Sequence, residues 1–353
     1  MKKMKNNKIL QIVKKIYSGF KLMILMPVGR FLKHLYRSVK AGILMALRNP
    51  KSFLSQTIAF VFKWWKRFVV GVVLIAIAFY PIIGFMSEEI DDNPDFSGPA
   101  VASNQMQSIQ TAQALIHREV VTHGWKANLP IVFPSSVLDN MPSFQMGIMD
   151  ALAAFTGAFP DEKLQRSAEM LAYPGRTWYL NFSSYLKPTK PAQRVYRKAM
   201  ALLRSYNEAL LSGQPAPLSA EDLSHVIRAM REDLRHSSFK IDEKLAQASD
   251  RVIDFGADNV FYKTKGKLYV DALLMRDLKR DYVALIDTPE MEVAFNDAID
   301  ALTKAYQYNP GIILNGKADG FLVPSHLAVQ GFYTMQAVDA LKSLQNFLSI
   351  GNE

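Results

Sequence analysis

Phe68 to Met86 reads FVVGVVLIAIAFYPIIGFM, 19 residues without a charge. A bilayer core of about 30 Å needs roughly 20 apolar residues as a helix. The run therefore predicts one transmembrane helix, with Pro81 marking a kink or a frayed end. Its flanks have opposite sign: Lys63, Trp64, Trp65, Lys66 and Arg67 precede it, and Glu88, Glu89, Asp91, Asp92 and Asp95 follow. The cationic side of a spanning helix stays in the cytoplasm, and tryptophans favour the interface. The expected topology has a cytoplasmic N-terminus and a large extracytoplasmic C-terminal part. A buried core helix fits the charge-free length and asymmetric flanks less well. A cleaved signal peptide would need a basic region of 67 residues, far longer than usual, although Ala100-Val101-Ala102 looks like a cleavage site. An organellar transit peptide would favour Arg and Ser, whereas residues 1–67 hold 12 Lys and 4 Arg.

Charge divides at the same place. Residues 1–67 carry 16 basic and no acidic residues, while the other 26 basic and all 32 acidic residues lie beyond, leaving that part at −6. At 3.6 residues per turn, Lys8, Lys14, Lys15 and Lys21 share one arc and Ile9, Ile12, Val13, Ile16, Tyr17 and Phe20 the other. Pro27 and Gly29 close that helix. A second predicted helix places Arg30, Lys33, Arg37, Lys40 and Arg48 opposite Phe31, Leu35, Tyr36, Val39 and Ile43, up to Asn49-Pro50. Two basic amphipathic helices suit an anionic membrane surface, with the apolar face in the headgroup boundary. The lipid-interface set is thus Lys8, Lys14, Lys15, Lys21, Arg30, Lys33, Arg37, Lys40, Trp64, Trp65, Lys66 and Arg67. The alternatives are a small cytoplasmic bundle and, less consistent with continuous apolar faces, a nucleic-acid patch.

Four regions follow: a basic cytoplasmic arm (1–62), the transmembrane helix with its flanks (63–87), an acidic stalk (88–103) and a helical extracytoplasmic domain (104–353). Helical periodicity dominates the last. Helices are expected from Met106 to Gly124, over 143–157 and 161–172, from Thr189-Pro191 to Gly213, from the Ser219/Asp222 capping box to 236, and near 241–255, 266–285, 288–306 and 324–348. Thr177 to Leu186 is the best strand candidate, and Pro130, Pro134 and Pro142 mark a loop. The fold class is mainly α, with at most a few short strands.

Catalytic signatures are missing. The chain has no cysteine, which excludes thiolate nucleophiles, zinc-thiolate sites and iron–sulfur clusters. No glycine-rich phosphate loop, nucleophile elbow, zinc-protease or EF-hand pattern occurs, so no cofactor or metal is expected. Glu221–His225 and Glu232–His236 are i,i+4 pairs on one face with Arg228, but about 16 Å separates the pairs along a helix, too far for a shared metal. They read as a solvated face, with Leu223, Val226, Ile227, Met230 and Leu234 opposite. His117 and His123 point in different directions. Trp125, Trp178, Tyr173, Tyr179 and Tyr185 form either a core cluster or a stacking groove for sugars. Lys187 to Arg204 holds six cations and no acid, either a solvated face or a surface for membrane or anionic polymer.

The order of a basic arm, WWKRFVVGVVLIAIAFYPIIGFM, an acidic turn, YPGRTWYLNFS and FGADNVFY resembles an uncharacterised family of proteobacterial inner-membrane proteins, a domain of unknown function. The likeness covers about residues 60–350, with the arm as a variable addition. It implies a bacterial, periplasm-facing placement and carries no activity, cofactor or site residue. The expected function is non-enzymatic: a single-pass inner-membrane protein presenting a helical periplasmic domain as an envelope scaffold or assembly partner, with anionic lipid and other envelope proteins as partners. The alternative is a membrane-anchored periplasmic enzyme acting on an envelope glycan, which would need paired carboxylates across a cleft.

Overall fold

The computed structural model describes residues 33, 36–37, 59, 62–75, 90–129, 140–181, 187–214, 216–247, 255–286, 288–310, 313 and 325–350. The chain divides into two units, Met1–Phe79 and Tyr80–Glu353. In the first, residues 62–75 are helical. Among the described residues no helix is long and apolar enough to cross a membrane. Of the expected span Phe68–Met86, residues 76–86 lie outside the described residues.

The second unit is mainly helical. Its helices are α1 (Gln107–His117), α2 (Asn140–Gly157), α3 (Glu162–Leu171), α4 (Ala192–Leu211), α5 (Ala220–Ala246), α6 (Phe255–Asp281), α7 (Pro289–Gln307) and α8 (His326–Ile350). α1 runs on into a π-helical stretch, Arg118–Thr122. One antiparallel pair, β1 (Leu180–Asn181) with β2 (Lys187–Pro188), is all the strand found among the described residues. The expected strand 177–186 is thus reduced to two described residues, and 182–186 lie outside the description.

Local chemistry sets several boundaries. Asp161 caps α3, its Oδ1 accepting from the backbone N–H of Lys163 and Leu164. The Ser219/Asp222 capping box opens α5, and Thr288 caps α7 with Pro289 in the first turn. Such caps satisfy amides that a helix start leaves without partners. α4 starts after Pro191, and Gly213 follows its end in the left-handed region at φ 95°. Two boundaries differ from expectation. α5 continues without a break to Ala246, absorbing the start of the helix expected near 241, and α6 begins at Phe255, well before 266.

Gly266 explains the second difference. It lies inside α6 because of packing, not as a helix start. A Cβ there would collide with the carbonyl oxygen of Phe144 on α2, and one at Gly147 on α2 would collide with the carbonyl of Lys263. The two helices cross in backbone contact, which only glycine permits. α6 is the central helix, packed against α1, α2, α5 and α7. Its Phe261, Leu268, Tyr269, Leu274, Met275 and Leu278 are fully buried. Each such side chain contributes about 1.5–3 kcal/mol by leaving water. α8 packs on α5 and α7, and α3 on α2 and α4. α1 and α4 run antiparallel: Met106, before α1, exchanges hydrogen bonds with Asn207 near the end of α4, while Asn128, beyond α1, donates to Gln193 at the start of α4.

The described part of the acidic segment, 90–103, lies on the helical unit. Phe96 packs against the core, and the amide of Gly98 donates to the Thr111 hydroxyl on α1 at 3.0 Å. Within the expected acidic stalk 88–103, Asp91 and Asp92 find partners in the unit.

Candidate functional site

The most elaborate polar arrangement is built where the chain enters the unit. Arg118 and Glu119, at the π-helical turn, are both buried. Arg118 Nε donates to Glu119 Oε1 at 2.7 Å, although neighbouring residues on an α-helix do not face each other. π-Helical turns recur at functional sites. Arg118 Nη1 donates to the Tyr269 hydroxyl at 2.9 Å and lies 3.4 Å from Asp91 Oδ2. The guanidinium also stacks over Phe96 at 4.5 Å. Gln145 on α2 donates to Glu119 Oε2 and to the carbonyls of Glu119 and Gly124. His123 stands between two carboxylates, Nδ1 3.4 Å from Glu119 Oε2 and Nε2 3.7 Å from Asp91 Oδ2.

The electrostatics follow from this packing. Burial pushes the Glu119 carboxyl up, but the hydrogen bond from His123 and the charge of Arg118 outweigh it and hold the group below its ordinary value. The hydrogen bond to Glu119 raises His123 against the opposing effect of burial. Burial raises the Tyr269 hydroxyl, with Arg118 opposing. The cluster opens to solvent at His123 and Asp91, the least buried members.

Further contacts fasten the same segment. Lys265, 1% exposed, places Nζ 2.7 Å from Asp92 Oδ2 and donates to the Tyr306 carbonyl. Tyr269 donates to the Asn93 carbonyl, and Arg276 donates to the carbonyls of Pro94 and Phe96. A second ladder joins α2, α5 and α6: Lys263 to Asp150 at 2.7 Å and Lys267 to Asp233 at 2.7 Å. Below it lies Asp271, fully buried, with neither carboxylate oxygen hydrogen-bonded among the described residues. Burial pushes its carboxyl far above the usual range, Asp233 adds to this, and Lys267 opposes it.

This chemistry can clamp a segment and titrate. Among the described residues no group of three or more His, Asp or Glu side chains could hold a metal ion. The described surface grooves lie elsewhere. One, lined by Glu232, Arg235, His236, Phe239, Asp242 and Met335, and another, lined by Glu221, His225 and Arg228 with Leu348, run along α5 and α8. A third, between α7 and α8, is lined by Val293, Ala294, Ala340 and Phe347 with Glu290 and Asp297.

The residues singled out in sequence are distributed as follows. Lys8, Lys14, Lys15, Lys21, Arg30 and Lys40 lie outside the described residues; Lys33 and Arg37 are helical and exposed. Trp64 is half-buried, Trp65, Lys66 and Arg67 are exposed, and the Arg67 guanidinium lies 5.1 Å from the Trp64 ring centre. Glu221 and His225 approach to 4.0 Å on an exposed face, while Leu223, Val226, Ile227, Met230 and Leu234 are all fully buried. Trp125 is buried and donates to the Gly175 carbonyl, whereas Tyr179 is 53% exposed. Sequence reasoning passed over Arg118, Glu119, Gln145, Lys265, Lys267, Asp271 and Tyr269. The usable signal was three lysines within five residues of α6 (Lys263, Lys265, Lys267) among Phe, Tyr, Leu and Val, too apolar a setting for a solvated helix.

No family model, curated protein or solved structure matches the chain.

Proposed function

We propose that the protein is a single-pass inner-membrane protein, N-terminus cytoplasmic, that presents its helical unit in the periplasm as an envelope scaffold or assembly partner. One observation carries the reading. Beyond the cationic turn at Lys66 and Arg67, the 62–75 helix carries only apolar side chains, and Phe68, Val69, Val70, Val72, Val73, Leu74 and Ile75 are all exposed. An apolar surface on all sides has to be covered by lipid or protein, and the sequence continues without charge to Met86.

A glycan-cleaving enzyme is the weaker reading. Glu232 and Asp242 share a groove, but ten residues of helix separate them by about 15 Å. Paired glycosidase carboxylates stand roughly 5–10 Å apart.

Absence of native cysteine makes the topology directly measurable. In spheroplasts, Ser343→Cys should react with a membrane-impermeant maleimide, and Ser18→Cys only after permeabilisation. The reverse pattern overturns the placement. Crosslinking at native expression should recover other envelope proteins, and recovery of the chain alone would count against the scaffold role.

A further inference from the structure

Outside the clamp, the strongest unexplained feature is a fixed basic corner. The 174–181 segment and the approach to α4 are tied together by backbone bonds. The Ala192 amide donates to the Thr177 carbonyl at 3.0 Å, the Thr189 amide to Tyr179 at 2.9 Å, and the Tyr173 hydroxyl to the Lys190 carbonyl at 3.0 Å. From this frame Arg176, Lys187, Lys190, Arg194, Arg197 and Lys198 all project as exposed side chains. None of the six forms an ion pair among the described residues. Other surface cations do: Arg204 with Glu208, further along α4, Arg166 with Glu162, and Lys279 with Glu292.

Local energetics do not explain the corner. The first turn of α4 contains no acid and has no side-chain cap, whereas α3, α5 and α7 each carry acids there. Cations near a helix N-terminus oppose the macrodipole. Six cations without an ion pair among the described residues, three of them on the first two turns of a helix, are kept despite mutual repulsion. Tyr179, half-exposed beside them, is the kind of amphipathic ring that settles at a membrane interface.

We propose that this corner, Arg176, Tyr179, Lys187, Lys190, Arg194 and Arg197, docks on the anionic headgroups of a bilayer. A bilayer is preferred to a soluble polyanion because of position. Trp125 donates to the Gly175 carbonyl at 2.8 Å and Asn128 to the Thr177 carbonyl at 2.7 Å, while His123, two residues before Trp125, meets Asp91. The corner therefore lies at the same end of the helical unit as Asp91, five residues past the apolar run in sequence. In this respect the proposal rests on the anchored reading above. Each cation near an anionic surface is worth about fivefold in binding. The corner would hold the unit down on the membrane and leave the α5, α7 and α8 grooves free.

The full chain can be reconstituted into phosphatidylcholine vesicles with or without phosphatidylglycerol. The polarity-sensitive dye NBD is placed on Tyr179→Cys, or on Ser343→Cys as a control. At position 179 the emission should shift to the blue only with phosphatidylglycerol. The shift should vanish in 1 M salt, where the Debye length is about 3 Å. It should also vanish in a Lys187→Gln/Lys190→Gln/Arg194→Gln/Arg197→Gln variant whose melting curve matches the parent, and position 343 should not respond. Resistance to carbonate extraction reports anchorage separately. An unshifted label on a carbonate-resistant chain overturns the corner and leaves the anchor standing. Extraction by carbonate overturns the anchor, and a blue shift persisting with added vesicles would still support the corner. If soluble polyphosphate produces the response and vesicles do not, the assigned partner is wrong.

Discussion

Lys265 Nζ and Asp92 Oδ2 lie 2.7 Å apart, joining the middle of the central helix to the segment through which the chain enters the unit. The lysine is buried and the carboxylate half-buried. Breaking such a pair leaves a charge without its partner, which costs more than the pair contributes. Asp92→Ala should therefore destabilise the protein by about 2–3 kcal/mol, and the Asp92→Ala/Lys265→Met double variant should recover most of the loss. Urea unfolding of the four proteins of this cycle would measure it. Additive effects would show that the pair is not a coupled unit.

The Arg118–Glu119–His123 cluster gives stability a defined pH window. The Glu119 carboxyl lies below its ordinary value of 4.5, so its stabilisation is present above that pH and is lost as pH falls through the folded-state value. His123 lies above its ordinary value of 6.5, so its stabilisation is complete below that pH and is lost as pH rises through the folded-state value. From these two groups, melting temperature should be highest between about 4.5 and 6.5. His123→Gln should flatten the alkaline limb and also weaken the acid one, because the His123 hydrogen bond is the largest influence holding the Glu119 carboxyl down. An unchanged alkaline limb in thermal melts from pH 4 to pH 9 would remove His123 from this role.

Asp271 should act in the opposite sense. Its raised carboxyl obliges folding to take up a proton above the unfolded-state value, so stability falls as pH rises from that value toward the folded one. Asp271→Asn removes that cost without changing the shape of the side chain. The variant should melt higher than the parent at pH 7 and gain little near pH 3. Equal gains at both pH values would mean that proton uptake is not the cause.

The α2–α6 crossing should tolerate no added carbon. Gly266→Ala forces a methyl group against the Phe144 carbonyl, and Gly147→Ala one against that of Lys263. Neither neighbour is a flexible side-chain end that could yield. Each substitution should cost about 3 kcal/mol, although alanine is the better helix former by about 1 kcal/mol. Gly71→Ala, whose Cβ would meet nothing within 4 Å, is the matched control. Denaturant midpoints that rise in the Gly266 variant would show that the helices can separate freely.

What the sequence determined is what depends on neighbours along the chain. The apolar run with its charge-reversed flanks, the Ser219/Asp222 and Thr288-Pro289 helix starts, the stop at Gly213 and the buried face of α5 were all legible, because caps and helical faces involve residues three or four apart. What the tertiary structure decided involves residues far apart. Gly266 has the sequence of a helix boundary and is a crossing point, because the atom that requires it belongs to Phe144 on another helix. Asp91 and Asp92 of the acidic segment are paired with Arg118 and Lys265, cations that no local pattern assigns to them. His123 acquires its two carboxylates, one four residues back and one in the entering segment, only when α1 ends beside the arriving chain. A buried charge is fixed by whichever partner the fold delivers, and that choice rests on the packing of whole helices rather than on spacing along any one of them.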